Sequence, residues 1–440
     1  LEVNTRYVVR YPEKRPFFLE GADFFTTPVE AVFTRTVSNP DGGLKFTGKL
    51  GKNAIGIFST HDRLNNLLFP SNEGSMSTSL DQDVLGGVFR FRRDVGKGSA
   101  VGMLYTGRQA SAYNNHVAGM DGFFRLSETN TLSVNYLRSE SKYPQDVAID
   151  FDQDESPFGG GALSMQFNHQ SRNWNYNIDY KDISPTFRAD FGYIPRADIR
   201  TTTIGLSRNF WGKENSWYNL ISIGGYGGGS YDYEGKLTDD DIHAYALYTG
   251  ALQTTFSIIG ATKHEVYLGT RYELQQAMIQ LEMKPLSGLR LNMMTHFGDM
   301  VDYSNLRLAW HMILNPAIEF NLGKHFNMNL QHRYMRMAFE KNEIFTANLS
   351  QLNLIYNFSV RTFVRAIIQY QNIQKDPDMY SSIVQADNKT VFTQFLFSYK
   401  LNPQSVVFIG YSDNYMGYTG IDILQTDKTF FFKLGYAWLL

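Results

Sequence analysis

Apolar and polar residues alternate with a period of two over segments of about ten residues, separated by turn residues. In residues 350–358, Leu352, Leu354, Tyr356 and Phe358 share one face, opposed by Gln351, Asn353, Ile355 and Asn357. In residues 391–400, Val391, Thr393, Phe395, Phe397 and Tyr399 oppose Phe392, Gln394, Leu396, Ser398 and Lys400. Residues 360–371 alternate likewise, with Arg361 and Arg365 on the more polar face. Near the end of the chain, Phe430, Phe432, Leu434, Tyr436, Trp438 and Leu440 fall on one side of a strand. A soluble sandwich would also alternate. Here Tyr, Trp and Phe crowd the ends of the apolar faces, as at membrane interfaces, while Arg, Gln, Asn and Ser occupy the opposite faces.

The pattern predicts an all-β fold, a transmembrane antiparallel β-barrel whose apolar faces meet lipid and whose polar faces line a wet lumen. Short turns are expected at residues 51–52, 95–97, 128–130, 172–173, 212–214, 284–286, 323–324 and 402–403. Longer polar links are expected at 62–81, 142–158, 183–197, 375–388 and 413–426. That asymmetry predicts short periplasmic turns and longer extracellular loops, and about 22 strands within a range of about 18 to 24. Glycines at 224, 225, 227, 228 and 229 blur the pattern between residues 218 and 281. Residues 1–28 read as an extended periplasmic or lumenal lead-in and 29–440 as the barrel, with no helix and no second soluble domain. Backbone groups facing lipid need partners, so the last strand is expected to close the cylinder against the first.

Composition narrows the classes. The chain has 440 residues, no cysteine, a formal net charge of -2 and 15% aromatic residues. The charge balance offers no field for nucleic acid. Without cysteine there is no disulfide framework, thiolate metal site or cysteine nucleophile. No apolar run is long enough for a membrane helix. The mean hydropathy of -0.31 fits strands with only one oily face. The chain begins at Leu1 without a signal-peptide pattern and reads as a trimmed product of something longer.

Three stretches carry a family resemblance: residues 13–21 (Glu-Lys-Arg-Pro-Phe-Phe-Leu-Glu-Gly), residues 187–196 (Phe-Arg-Ala-Asp-Phe-Gly-Tyr-Ile-Pro-Arg) and residues 356–371. On these the chain resembles the domain-of-unknown-function family numbered 5916, found in Bacteroidota and some proteobacteria. The resemblance spans essentially the whole chain. It implies an upstream family-nine carbohydrate-binding module followed by an outer-membrane barrel. It supplies no catalytic residue.

Candidate functional residues follow. In the lead-in, Arg15, Phe17, Phe18 and Glu20 form either a latch that gates the lumen or a tether for an upstream module, since two prolines fix a rigid path. Arg15 is expected to pair with a lumen carboxylate. Arg188, Asp190 and Arg196 lie around an aromatic cluster in a predicted external loop, as a constriction or as a self-packed loop. Arg90, Arg92, Arg290, Arg361 and Arg365 are predicted to face the lumen, where they favour anionic solutes or pair with opposing carboxylates across the barrel and fill space. Asp150, Asp152, Asp154 and Glu155 lack the spacing of an EF-hand and read as a solvated loop, as do Asp239, Asp240 and Asp241. Metal binding stays open on the sequence. Nine scattered histidines include His296 and His311, which a barrel hydrolase would need beside Ser or Asp.

The expected function is a non-enzymatic outer-membrane pore of a Gram-negative bacterium, carrying a nutrient such as an oligosaccharide. The alternatives are a scaffold or subunit of an outer-membrane complex that anchors a periplasmic carbohydrate-binding-like module, and a barrel-embedded hydrolase. No cofactor is expected. Expected partners are outer-membrane lipid and lipopolysaccharide, other outer-membrane or periplasmic proteins, and carbohydrate, but not nucleic acid.

Overall fold

The computed structural model describes residues 3–402 and 405–435. After two short helical turns in the lead-in, α1 (Pro16–Leu19) and a 3-10 turn (Ala22–Phe25), the chain becomes almost wholly strand. The strands are β1 (Pro40–Leu50), β2 (Asn53–Asp62), β3 (Asn65–Pro70), β4 (Ser75–Leu80), β5 (Val84–Val95), β6 (Ser99–Ala110), β7 (Tyr113–Arg125) and β8 (Asn130–Lys142). A six-residue helix, α2 (Gln145–Asp150), precedes β9 (Phe158–Gln170), β10 (Trp174–Ile183), β11 (Ile199–Trp211), β12 (Tyr218–Tyr231), β13 (Leu237–Gly250), β14 (Thr254–Tyr267) and β15 (Thr270–Leu286). The rest are β16 (Leu289–Asp302), β17 (Arg307–Leu322), β18 (Phe326–Phe339), β19 (Asn342–Asn357), β20 (Thr362–Lys375), β21 (Asp387–Asn402), β22 (Ser405–Tyr418) and β23 (Ile421–Gly435).

All but β3 and β4 join one 21-stranded antiparallel sheet in which each strand pairs with the next, β2 passing directly to β5. β3 and β4 form a separate hairpin on the β2–β5 loop. The two helices are short exceptions to the expectation of none. Sheets of this width curl, and the inward face here encloses the lead-in.

The two faces differ in chemistry. Outward residues include Ile204, Leu206, Ile223, Ile242, Phe395, Phe430 and Phe432, all exposed. Their inward neighbours in sequence include Thr203, Ser207, Ser222, Asp241 and Gln394. An exposed apolar belt of this extent is stable only against lipid. At the turn end, Trp174 and Trp217 are exposed. Indoles with one polar handle suit the membrane–water boundary.

The turn and loop asymmetry holds at 51–52, 62–84, 142–158, 183–199 and 375–387. Three expectations differ. Residues 413–426 are not a link: β22 and β23 run through them, joined by a tight turn where Gly420 adopts φ 76°. Residues 284–286 end β15, and the turn is made by Ser287 and Gly288, the latter at φ 85°. Residues 360–361 lie in the turn before β20, and Val360 is 93% exposed. The predicted turn at 402–403 falls partly outside the described residues. The glycine-rich stretch forms β12 without a break.

Twenty antiparallel pairings in a row leave β1 and β23 running the same way. Among the described residues, each of these two strands has one strand partner, β2 and β22 respectively. The expected closing ladder between them is not among the pairings of the described residues.

Candidate functional site

β1 ends in a short turn, so it begins at the loop end of the wall. The lead-in therefore lies on the lumenal side before the first wall strand is laid down. Its aromatic residues explain why it stays there. Phe18 and Phe25 pack edge-on against Phe58 of β2, and Phe58 packs on Phe191 of the β10–β11 loop at 5.3 Å. Val29, Ala31 and Val37 join the same core with inward residues Val88, Leu104, Val117, Leu137 and Ala162. Each fully buried Phe or Val contributes roughly 1.5–3 kcal/mol. Gly86 makes room for Phe191: a Cβ there would lie 2.6 Å from its ring. One half of the lumen is thus a dry protein core.

Backbone groups of the lead-in are paired as well. Val29 N donates to Asn135 Oδ1 at 3.1 Å, Phe33 N to the Phe191 carbonyl at 2.7 Å, and Tyr193 N to the Glu30 carbonyl at 2.9 Å. Gly192 lies against Ala31 so closely that a Cβ would come within 2.3 Å of the Glu30 carbonyl.

Residues 4–8 reach the opposite loops. Asn4 donates to the Val301 carbonyl at 2.8 Å and accepts from Tyr303 N at 2.9 Å. Arg6 pairs with Asp239 at 2.9 Å and Glu265 at 3.2 Å, and donates to the Glu73 carbonyl at 2.6 Å. Val8 N donates to Ser75 Oγ at 2.8 Å. Residues 3–39 therefore strap the mouth from the β16–β17 loop to β2. Burial pushes the Tyr7 hydroxyl up to about 12, against the pull of Arg196 and Arg6.

The predicted site residues are placed as follows. Arg15 does not reach a carboxylate of the wall. It grips Glu13 of its own segment at 2.7 Å, donates to the Val37 and Thr34 carbonyls at 2.6 and 2.8 Å, and covers the Phe18 ring at 4.2 Å. Burial opposes the Glu13 charge, but the Arg15 side chain and amide and the Thr34 hydroxyl hold that carboxyl down at about 2. Phe17 is exposed, and Lys45 donates to the carbonyls of Phe17 and Glu20; the Glu20 side chain is exposed.

Arg188 and Asp190 are buried in the β10–β11 loop. Asp190 accepts from Tyr113 at 2.8 Å and Tyr143 at 3.0 Å, and its amide donates to Asn115 Oδ1 at 3.0 Å. Burial raises the Asp190 carboxyl, opposed by Arg108 and the two hydroxyls. Arg188 donates to Gln153 at 2.9 Å and to the Pro185 and Phe187 carbonyls. Arg196 joins Asp239 and the Asn72 carbonyl. Asp239 is not a solvated loop residue: it lies in β13, where both Arg6 and Arg196 neutralise it.

Arg90 is buried against Asp121 at 2.5 Å. Arg92 points inward and is exposed. Arg290 lies between Glu282 and Glu319 at 3.5 and 3.7 Å. Arg365 donates to Gln394 at 2.9 Å. Arg361 sits in the β19–β20 turn, where its amide donates to Ser359 Oγ at 3.1 Å. Asp150 ends α2, and Asp152, Asp154 and Glu155 follow it. Among the described residues no group of three or more His, Cys, Asp or Glu side chains is set to hold a metal ion. His296 and His311 do meet on neighbouring strands, with Nε2 of His311 3.0 Å from Nδ1 of His296 and its Nδ1 2.9 Å from the Gly298 carbonyl.

The other half of the lumen is wet. Toward the turn end of β9 to β13 the inward residues include Asn168, Gln170, Asn175, Asn177, Thr203, Ser207 and Ser222, and two adjoining hollows of about 640 and 360 Å³ lie on them. Sequence reasoning did not single out Asn4, Arg6, Tyr113 or Tyr143, nor this wall.

No family model matches the chain, and no curated protein matches it. Among solved structures, the siderophore receptor PirA from Acinetobacter baumannii matches with a TM-score of 0.52 and 8% identity, over 88% of this chain and 74% of that one. A ferric enterobactin receptor mutant from Pseudomonas aeruginosa matches with a TM-score of 0.44 and 8% identity, over 87% of this chain and 79% of that one. The first likeness shows the fold: this chain is an outer-membrane-type β-barrel.

Proposed function

We propose that this protein is a non-catalytic transport pore of the Gram-negative outer membrane, closed at its mouth by its own residues 3–39 and carrying a nutrient along the wet half of the lumen. The observation that carries this reading is the strap. A wide barrel needs internal filling. Here the filling covers one side with a dry core, crosses to the loops at Asn4 and Arg6, and leaves the polar wall of β9–β13 free. Of the inward arginines, Arg90 pairs with Asp121 and Arg290 with Glu282 and Glu319, while Arg92 is exposed and Arg365 donates to Gln394.

The test is single-channel recording in planar bilayers, comparing the full chain with Arg6→Ala and Asn4→Ala. Low or absent current in the native chain, rising several-fold when the strap is loosened, is the expected result. A lumen that stays sealed in every variant would replace this reading with that of a scaffold, holding a periplasmic carbohydrate-binding-like module at the membrane.

A further inference from the structure

The two hollows on β9–β13 share Gln170, Asn175, Ser207 and Tyr245, so they form one continuous groove on the lumen wall. Register places its floor. Gln170 faces Asn175 across β9–β10, Asn175 faces Ser207 across β10–β11, and Tyr245 faces Gly224 across β12–β13. The glycines set its depth. A Cβ at Gly205 would lie 2.3 Å from Asn177 Oδ1, and one at Gly224 would lie 2.8 Å from the Tyr245 hydroxyl. The missing side chains let the amide and the ring lie against the sheet, with Tyr226 between them.

The chemistry of this groove is specific. Among the described residues no Asp, Glu, Lys or Arg lines either hollow, the nearest inward carboxylate being that of Asp179, to which the Asn177 amide donates. Side-chain amides offer donors and acceptors together, hydroxyls offer both from one atom, and tyrosine rings offer flat apolar faces. Asn175 Oδ1 is buried and has no hydrogen-bond partner among the described residues, and its amide nitrogen makes a long 3.4 Å contact to Ser207 Oγ. A buried acceptor left open costs free energy unless a ligand or water fills it. A ligand suited to this groove carries no net charge, presents many hydroxyls, and has an apolar face to lay on an aromatic ring. Pyranose rings have all three properties. An anionic chelate would meet no cation here.

We infer that this groove is a binding subsite for uncharged oligosaccharides, with Asn175 and Asn177 as hydrogen-bonding residues and Tyr226 and Tyr245 as stacking platforms. Its combined size accommodates two or three sugar rings, within the range of small-molecule sites. The inference deepens the transport reading above by naming a substrate class, and it rests on that reading for its role in transport.

The test separates the two. Detergent-solubilised full chain is titrated calorimetrically with malto-, cello- and xylo-oligosaccharides of three to six rings, and with oligogalacturonate as an anionic control. Saturable binding of at least one neutral series, weaker binding of the anionic one, and about a tenfold loss in Asn175→Ala and in Tyr245→Ala are expected. Tyr245→Phe, which keeps the ring, is expected to lose far less, and serves if Tyr245→Ala does not assemble. No binding of any neutral series, or binding unaffected by all three substitutions, overturns the subsite. Proteoliposome uptake of the bound sugar is measured in parallel. Binding without uptake leaves the subsite standing and removes the transport reading.

Discussion

The Tyr113 hydroxyl donates to Oδ2 of Asp190 at 2.8 Å, joining a wall strand to a loop residue 77 positions away. Tyr143 donates to the same carboxylate at 3.0 Å, and Arg108 donates to the Asp190 carbonyl at 2.6 Å. The carboxylate is thereby the hub that seats the β10–β11 loop against the lumen wall. Asp190→Ala leaves two buried hydroxyls short of an acceptor and removes the charge facing buried Arg108, whose bond to the backbone carbonyl of residue 190 remains. It is expected to cost about 3–5 kcal/mol, against about 1 kcal/mol for Tyr143→Phe. Urea titrations in detergent, followed by tyrosine fluorescence and gel mobility, compare the two.

The loop carries the lead-in through a backbone contact. Gly192→Val places methyl groups where the Glu30 carbonyl and Ala31 now lie. Neither neighbour can rotate away, so the lead-in must lift from the loop. The expected outcome is faster proteolysis within residues 20–40 and higher single-channel conductance, with the barrel itself intact.

Glu13 supplies a pH dependence. Its ordinary value of 4.5 falls to about 2 in the folded chain, because the bonds from Arg15 and Thr34 outweigh burial. The favoured form is the ionised one. Its stabilising contribution is fully present above about pH 4.5 and is lost as pH falls through about 2. A fluorophore on residue 17 is expected to report a lead-in that stays docked at pH 5 and loosens toward pH 2. In Arg15→Gln the same loosening is expected at higher pH, or is already present at neutrality.

The assignment of faces has a direct check. Ile223 points outward near the middle of β12 and is 55% exposed. Ile223→Arg is expected to destabilise the lipid-embedded barrel by about 2–4 kcal/mol. Gln351→Arg, on the inward face of β19, is expected to change stability by less than about 0.5 kcal/mol. Folding titrations into lipid vesicles read both, and equal costs would reverse the orientation of the wall.

The wall was legible in the sequence because lipid enforces alternation. At Phe395, Phe397, Phe430 and Phe432 each outward position must be oily, so the period survives any local preference. The misread link at 413–426 lies where β22 and β23 meet at the loop end. Water reaches both faces there, and Ser412, Asp413 and Asn414 carry no membrane signature although their backbones are paired. Pro285 gave a false turn because it occupies the last residues of β15, close to the edge of the ladder, while Gly288 makes the reversal.

The strap was not legible. Arg6 meets Asp239 and Glu265 across more than two hundred residues, and nothing local distinguishes it from any arginine in a polar leader. Arg15 was visible but misassigned: its partner Glu13 stands two residues away, nearer than any wall carboxylate. The amide groove was hidden by its glycines, which weaken the alternation that makes a strand readable. The signal that would have found it is the inward set Gln170, Asn175, Asn177 and Ser207, uncharged up to Asp179.

The shared direction of β1 and β23 has a mechanical consequence. Zipped edge to edge, these strands would use slanted, evenly spaced bonds, less stable per residue than the perpendicular bonds elsewhere in the wall. The cylinder would then possess one seam softer than the rest. Force or heat applied to it would part that seam before any other staves separated.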